Sequence, residues 1–366
     1  MKRYVYAISL LLILTSCDLN RKQEMSLSTQ TIALDSACQE IMPGVVDSIS
    51  FVKLEENDDL YFASISKLRM MGDTIIVFDR MGKNTLLGFN IQGDYLHSFG
   101  QKGNGPNEYV RLWDFDIDSN YVYLYDRAKK KMLYYDHQGR FIQRKTTTFI
   151  GDGFKTINEG RFLFSLAKAG SNMKLCITDS LLRIEQSILS YREDEADDKI
   201  TDNLFFASGT EIMYNKPVCD SIYTLSQSGE LQGCYKISFG NYGVPKEIVG
   251  SYEKITEYES KKKYCFMYDC PLVTNNLIVG SIFHQGAKAT LIIDLKTNKN
   301  YINDWVEGVK ITNIILPVYA NARYIVGWMD YEVYNAASDK ELLSPDMVKH
   351  LQNGGKILIF YHLNRE

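Results

Sequence analysis

Histidine, proline and cysteine are all scarce in this chain, with 5, 7 and 7 residues among 366. The five histidines, His97, His137, His284, His350 and His362, are scattered. No two of them have metal-ligand spacing, so a preformed zinc motif is excluded and no metal is expected. There is no G-x-S-x-G elbow and no Cys/His signature, which leaves nucleophilic catalysis without positive support. No cofactor is implied. Neither sign of charge dominates: 41 Lys and Arg face 45 Asp and Glu, for a net charge of -4. Nucleic-acid binding usually demands a clustered basic surface, so nucleic acid is excluded as a partner. No apolar run reaches the ~20 residues needed to span a bilayer. What is abundant is strand-forming side chain: 45% of residues are hydrophobic, with 25 Tyr and 17 Phe. That composition describes a globular chain rich in strands.

The first seventeen residues read as an export signal. Lys2 and Arg3 precede an apolar run from Tyr4 to Leu14, which has the length of a secretory core segment. Leu14-Thr15-Ser16-Cys17 follows and resembles the lipobox of bacterial lipoproteins. The resemblance implies cleavage before Cys17, acylation of its thiol, and a lipid bilayer as partner; two or more acyl chains anchor stably where one does not. The alternative is an ordinary signal peptide with a chance cysteine. Residues 17–44 begin DLNRKQEMSLSTQT after the cysteine and read as a flexible tether. The expected location is the cell envelope, lipid-anchored on the outer membrane, facing the periplasm or the surface. Six further cysteines admit fifteen pairings. A body this large does not need disulfide staples. Cys265 and Cys270, in CFMYDC, could pair locally or be buried small hydrophobes, and the second reading is favoured.

A turn followed by an apolar strand recurs six times, with strands starting near Ile75, Tyr121, Arg161, Glu211, Leu277 and Arg323. The spacing is 40–50 residues except before Leu277, where it lengthens by about twenty. That excess matches a segment at 244–264 in which Ile248, Tyr252, Ile255 and Tyr258 have helical spacing, so a helical insertion is expected there. The first two units align residue by residue. Asp79-Arg80 corresponds to Asp126-Arg127, and FNIQG at 89–93 to YDHQG at 135–139. Four strands per unit at this period are what propeller blades look like.

A propeller must close its ring, because an open sheet leaves edge groups unpaired. SISFVKL at 48–54 and KILIFY at 356–361 are strands without units of their own, and they are expected to meet in one blade with residues 323–329. The segment between, SDKELLSPDMVKHLQNGG, reads as a short helix stopped by Gly354. The chain therefore divides into a signal peptide at 1–16, a tether at 17–44 and an all-β, six-bladed propeller of four-stranded antiparallel blades at 45–366. With "FVKLEE", "FNIQGDYLHSFGQKGNGPNEY" and the terminal "ILIFYHL", it resembles the six-bladed TolB-like and NHL-like propeller lipoproteins of Bacteroidetes.

GQKGNGPNEY at 100–109 looks at first like a phosphate-binding loop. A P-loop needs GxxxxGK[ST] opening a helix. Here no Lys-Ser or Lys-Thr follows, and the next segment, RLWDFDID, alternates like a strand. In the resembled family such a run links the outer strand of one blade to the inner strand of the next. Gly100, Gly103 and Gly105 would allow positive φ in that crossing, and Pro106 would fix its exit.

The chemistry-bearing residues that remain are few. Asp114, Asp116 and Asp118 alternate with Trp113, Phe115 and Ile117, which puts the carboxylates on one strand face. On an innermost strand, Asp114 and Asp116 approach the central channel and could hold a cation. An EF-hand is excluded, because Ser119 stands where Gly is required and Tyr125 where Glu is required. The competing reading is that these carboxylates are solvated or cap turns. His284, in GSIFHQG, is the third channel candidate; a lone strand histidine is more often structural. Lys129-Lys130-Lys131, Lys261-Lys262-Lys263 and the acidic loop at 192–199 read as solvated faces. Fold alone does not assign function. The favoured expectation is a non-catalytic envelope protein that binds a protein, peptide or glycan. The alternative is an envelope hydrolase or lyase with a polar or metal site in the channel, built on Asp114, Asp116 and His284.

Overall fold

A computed structural model describes residues 28–34, 44–57, 60–168, 172–192, 195, 201, 203–249, 251–259, 264–274, 276–284 and 286–364. Two strands precede the repeats, β1 (Ser28–Ala33) and β2 (Val46–Lys53). Blade 1 is β3 (Lys67–Met71), β4 (Thr74–Asp79), β5 (Thr85–Asn90) and β6 (Tyr95–Ser98). Blade 2 is β7 (Leu112–Ile117), β8 (Val122–Asp126), β9 (Lys131–Tyr135) and β10 (Phe141–Thr146). Blade 3 is β11 (Gly151–Thr156), β12 (Phe162–Leu166), β13 (Met173–Thr178) and β14 (Ile184–Ser190). Blade 4 is β15 (Phe205–Ser208), β16 (Glu211–Tyr214), β17 (Ser221–Ser226) and β18 (Leu231–Ser238). In blade 5 the inner strand is broken into β19 (Phe266–Met267) and β20 (Leu272–Thr274), both pairing with β21 (Leu277–His284), followed by β22 (Ala287–Asp294) and β23 (Lys299–Asp304). Blade 6 is β24 (Tyr319–Ala320), β25 (Tyr324–Met329) and β26 (Ile357–Leu363), completed by β2 as its outer strand.

All six repeat units thus become blades, and the ring closes as the terminal strands required, with Ile49 opposite Tyr361 and Lys53 opposite Ile357. The middle strands are continuous apolar runs because a blade is covered on both faces. Alternation then sends successive side chains to opposite inter-blade cores. On β4, Ile75 and Val77 pack toward blade 6, while Ile76 and Phe78 pack toward blade 2. Outer strands such as β10 alternate half-buried and exposed residues, since one face meets water. Tyr123, Tyr125, Phe154, Phe162 and Phe164 fill the blade 2–3 core. Each such ring contributes ~1.5–3 kcal/mol on burial.

Several expectations need correction. The end of the tether is a strand: β1 pairs in parallel with β18 and adds a fifth strand to blade 4, from Ser28 opposite Gly233 to Ala33 opposite Ser238. β-Branched Thr29, Thr31 and Ile32 suit that role, and Asn300 of β23 donates to the Ala33 carbonyl at 3.0 Å. The insertion is helical as expected, over α1 (Tyr252–Glu259) among the described residues, but not from 244 onward. Before it, Ile248 and Val249 N–H groups both reach the Pro245 carbonyl in a turn, and Val244, Ile248, Val249 and Ile255 pack with Val218 and Phe266. Pro245 and this packing hold residues 245–249 in a turn, so the helix does not begin at 244. Between β25 and β26 there are two short helices, α2 (Tyr331–Ala336), capped by Asp330, and α3 (Pro345–Gln352), capped by Ser344 and followed by Gly354 at φ 93°.

In the 100–109 crossing, only Gly100 has positive φ, at 75°. Gly103 and Gly105 serve closeness instead. A Cβ on them would stand 2.0 and 2.9 Å from Glu108 Oε2, which accepts the Gly105 N–H at 2.7 Å. The loop does carry the chain from β6 to β7. Lys131 is buried and donates to the Glu108 carbonyl, so that lysine triplet is not wholly a solvated face. Lys261–Lys263 lie outside the described residues, as does Cys17. Cys265 and Cys270 are buried free thiols.

Candidate functional site: the two halves of the propeller axis

The inner strands β3, β7, β11, β15, β19–β20 and β24 face the propeller axis. Blades 1 and 4 stand opposite one another, and they meet: Arg69 donates to the Phe205 carbonyl at 3.3 Å, and Asn203 donates to the Ser66 carbonyl at 3.0 Å. This bridge divides the axis into a blade 2–3 half and a blade 5–6 half.

The blade 2–3 half holds Asp114 and Asp116, both essentially inaccessible. Asp114 accepts from Lys67 Nζ at 2.6 Å, and from the N–H groups of Phe115 and Phe154 at 2.8 Å each. Asp116 accepts from Arg69 Nε at 3.1 Å, Lys155 Nζ at 2.6 Å, and Thr156 N and Oγ1 at 2.9 Å each. Burial alone would raise the Asp116 pKa. The cations Lys155, Arg69 and Lys67 outweigh it and hold the carboxyl well below the usual range. Burial pushes Lys67 down to about 8, against the pull of Asp114. Every oxygen of the pair is therefore engaged, and this half is a closed ionic plug.

Other sequence candidates lie apart. Asp118 caps the β7–β8 turn, accepting from Asn120 and Tyr121 N–H at 2.7 and 2.9 Å. His284 ends β21 and pairs through Nδ1 with Asp304 Oδ1 at 2.8 Å. The chain brings Asp114 and Asp116 together on the axis and leaves His284 outside them. Among the described residues no group of three or more His, Cys, Asp or Glu could hold a metal.

The blade 5–6 half is open. The face that carries the turns between second and third strands, here the top face, has a recess of about 230 Å³ on this side of the bridge. Tyr268, Trp305 and Trp328 form its aromatic walls, with Arg80, Lys288 and Asp269 as the charged groups among the described residues. Sequence reasoning missed all six. The break between β19 and β20 delivers Tyr268 and Asp269 to the recess. Trp305 follows β23 and is fixed by its indole N–H on Thr290 Oγ1 at 2.9 Å. Lys288 lies over the Tyr268 ring, 4.2 Å from its centroid. The adjoining loop is tied by Tyr361, whose hydroxyl donates to the Ile311 carbonyl at 2.9 Å and accepts from Ile315 N at 3.2 Å. Leu316 in that loop has φ 42°, a left-handed conformation costly for a branched side chain.

The repeated Asp-Arg pairs now acquire distinct tasks. Each aspartate is buried and holds backbone: Asp79 accepts from Gly82 and Lys83 N–H at 2.9 and 2.8 Å, and Asp126 from Val110 and Lys129 N–H at 2.7 and 3.1 Å. Each arginine instead lies on Trp113, with guanidinium carbons 4.7 Å (Arg80) and 4.5 Å (Arg127) from the ring centroid. The ring thereby fixes Arg80 at the edge of the recess. A second cleft of about 350 Å³ lies off the axis, beside the insertion, lined in part by Lys216, Asp220, Lys236 and Lys246. Lys216 there is already bound to Asp152 at 3.0 Å, and the 192–199 loop on its rim falls largely outside the described residues.

Residues 32–354 match the family model described as Domain of unknown function (DUF4934). The chain belongs to that family. No curated protein matches it. Among solved structures, a Bacteroides fragilis protein described as exported is similar over 92% of this chain and 100% of its own, at 19% identity and a TM-score of 0.72. A Bacteroides vulgatus member of the DUF4221 family is similar over 89% of this chain and 99% of its own, at 11% identity and a TM-score of 0.54. At these identities the likeness bears on fold, and it agrees with a six-bladed Bacteroidetes-type propeller whose function is unknown.

Proposed function

We propose that this DUF4934 protein is a lipid-tethered, non-catalytic binding protein of the cell envelope, with the open half of its axis as the ligand site. The contrast within the axis carries the reading. Where carboxylates cluster, each oxygen is taken by a donor; where space remains, aromatic walls and positioned cations surround it. That is the makeup of a recognition site, apolar with a few placed polar groups. The hydrolase or lyase reading would need Asp114 or Asp116 as acid, base or metal ligand, and both are engaged in ion pairs.

The tether rests on the Lys2–Cys17 signature; the similar Bacteroides fragilis protein, described as exported, supports the same compartment. The direction of β1 adds an orientation. β1 runs parallel to β18, and β18, as an outer strand, runs toward the top face. Ser28 therefore starts at the bottom edge of blade 4. The strand that continues from the tether thus begins on the face opposite the recess.

The test uses the full chain from native membranes. The N-terminal peptide should carry the mass of an acylated Cys17, and Cys17→Ser should release the protein from membranes. An unmodified Cys17 peptide would overturn the tether. Two of the three tryptophans line the recess, so ligand addition should change the fluorescence of the wild type, and most of that change should be lost in a Trp305→Phe/Trp328→Phe variant, which keeps only Trp113 beside Arg80. A ligand response undiminished by that double change would overturn the site.

A further inference from the structure

The recess has a chemical bias that narrows its ligand, and the inference rests on the recess being the binding site. Among the described residues its charged groups are two cations, Arg80 and Lys288, against one acid, Asp269. Both cations are held by rings, Arg80 by Trp113 and Lys288 by Tyr268, so little conformational freedom remains to be lost when a ligand arrives. The plug beyond the bridge has the same sign, with Lys67, Arg69 and Lys155 against Asp114 and Asp116.

The walls argue about shape. Trp305 and Trp328 are half-buried and present flat apolar faces. At about 230 Å³ the space is smaller than the ~300–1,000 Å³ of sites that enclose whole small molecules. It would hold one terminal ring of a longer ligand. A peptide recognised by strand addition would need an unpaired sheet edge, and the walls here are side chains instead. We propose that the recess recognises an acidic sugar, one ring against Trp305 and Trp328 with its carboxylate or sulfate held by Arg80 and Lys288.

The experiment is tryptophan fluorescence titration of the full-length protein with four probes: oligogalacturonate, chondroitin sulfate oligosaccharide, a neutral galacto-oligosaccharide and a glutamate-rich peptide. At least one acidic oligosaccharide should bind, and the neutral one about tenfold or more weakly, as expected for loss of charge-assisted hydrogen bonds. Binding should weaken with salt. Arg80→Gln and Lys288→Gln should each reduce affinity about tenfold or more. Lys236→Gln, in the off-axis cleft, should leave affinity unchanged, with circular dichroism confirming that each variant is folded. Equal binding of the neutral sugar would overturn the charge assignment. Binding of the peptide alone, lost in Trp328→Ala, would overturn the sugar and leave the recess as a binding site. Silence from all four probes would overturn the acidic-sugar assignment, while the acylation of Cys17 would still be decided by its own mass measurement.

Discussion

The two halves of this propeller's axis are built from equivalent strands and meet opposite fates. In the blade 2–3 half, charge fills the space: two buried aspartates and three buried cations satisfy one another. In the blade 5–6 half the inner strands are short and broken, β19, β20 and β24 covering two, three and two residues, and their places are taken by loops that leave a recess. An inner strand that runs unbroken supplies alternating side chains to plug the axis. One that breaks gives up ladder bonds and gains a wall. Ionic closure and open space are thus segregated on either side of the Arg69–Phe205 bridge.

The sharpest way to break the comparison is to remove Asp116. Asp116→Ala leaves Arg69 and Lys155 buried without their counterion, and stability should fall by ~3–5 kcal/mol in urea unfolding. A loss below about 1 kcal/mol would mean that water reaches the plug and that the halves do not differ as described. Lys67→Met combined with Asp114→Asn, which keeps an acceptor for the Phe115 and Phe154 amides, should cost less than Lys67→Met alone, since no unpaired charge is then left at Asp114.

Next in size is Gly327→Ala. A Cβ there would lie 2.1 Å from the Ile315 carbonyl oxygen, a backbone atom that cannot step aside alone. The change should cost ~1–3 kcal/mol by overpacking and displace the Leu316–Val318 loop that lines the recess. Thermal unfolding and ligand titration should therefore both respond. Unchanged ligand affinity would separate that loop from the site.

These magnitudes also bear on what the sequence could reveal. The blades were legible because each unit repeats turn, apolar strand and turn at one period. The ring closure was legible because two strands lacked a unit. Asp114 and Asp116 were placed on the axis by simple alternation, but their partners were overlooked. Lys67 and Arg69 stand at the same step of the preceding unit, each 47 residues upstream of its aspartate. Writing KLR above DFD in repeat register would have exposed the plug. The recess has no such local signal. Its charged and aromatic residues come from five segments, around residues 80, 268, 288, 305 and 328, and only the closed ring brings them together. The start of the insertion differs for a related reason: the periodicity over 248–258 was real, but Ile248 and Val249 satisfy it from a turn packed against Val218 and Phe266.

Acidity should act on the plug with a definite sign. The folded pKa of Asp116 lies below its ordinary value of 3.8. Its contribution is therefore fully present above about pH 4 and is lost as pH falls through the folded pKa. The stability gap between wild type and Asp116→Asn should shrink below pH 4. Glu56 has the opposite slope. Burial raises it to about 7 despite Lys356 at 3.4 Å, so ionising it at neutral pH opposes folding. Stability from this group is present below its ordinary 4.5 and declines as pH rises toward 7. Glu56→Gln should flatten that decline and leave the protein more stable than wild type at pH 8. A parallel pH profile for the two proteins would contradict the assignment.

The smallest expected effect on stability falls at the open half, and it separates the two halves most cleanly. Arg80→Gln removes a cation from the face of Trp113, a contact of ~0.5–1 kcal/mol where partly exposed. Asp79 keeps its hold on the Gly82 and Lys83 amides, so the turn itself survives. Unfolding should shift far less than it does for Asp116→Ala, while binding at the recess should suffer most. If Arg80→Gln instead costs as much as Asp116→Ala, then the arginine is part of the same structural plug, and the division of the axis into a closed and an open half would fail. A cheap loss in stability joined to a large loss in binding is the pattern that a site placed on a rigid frame requires.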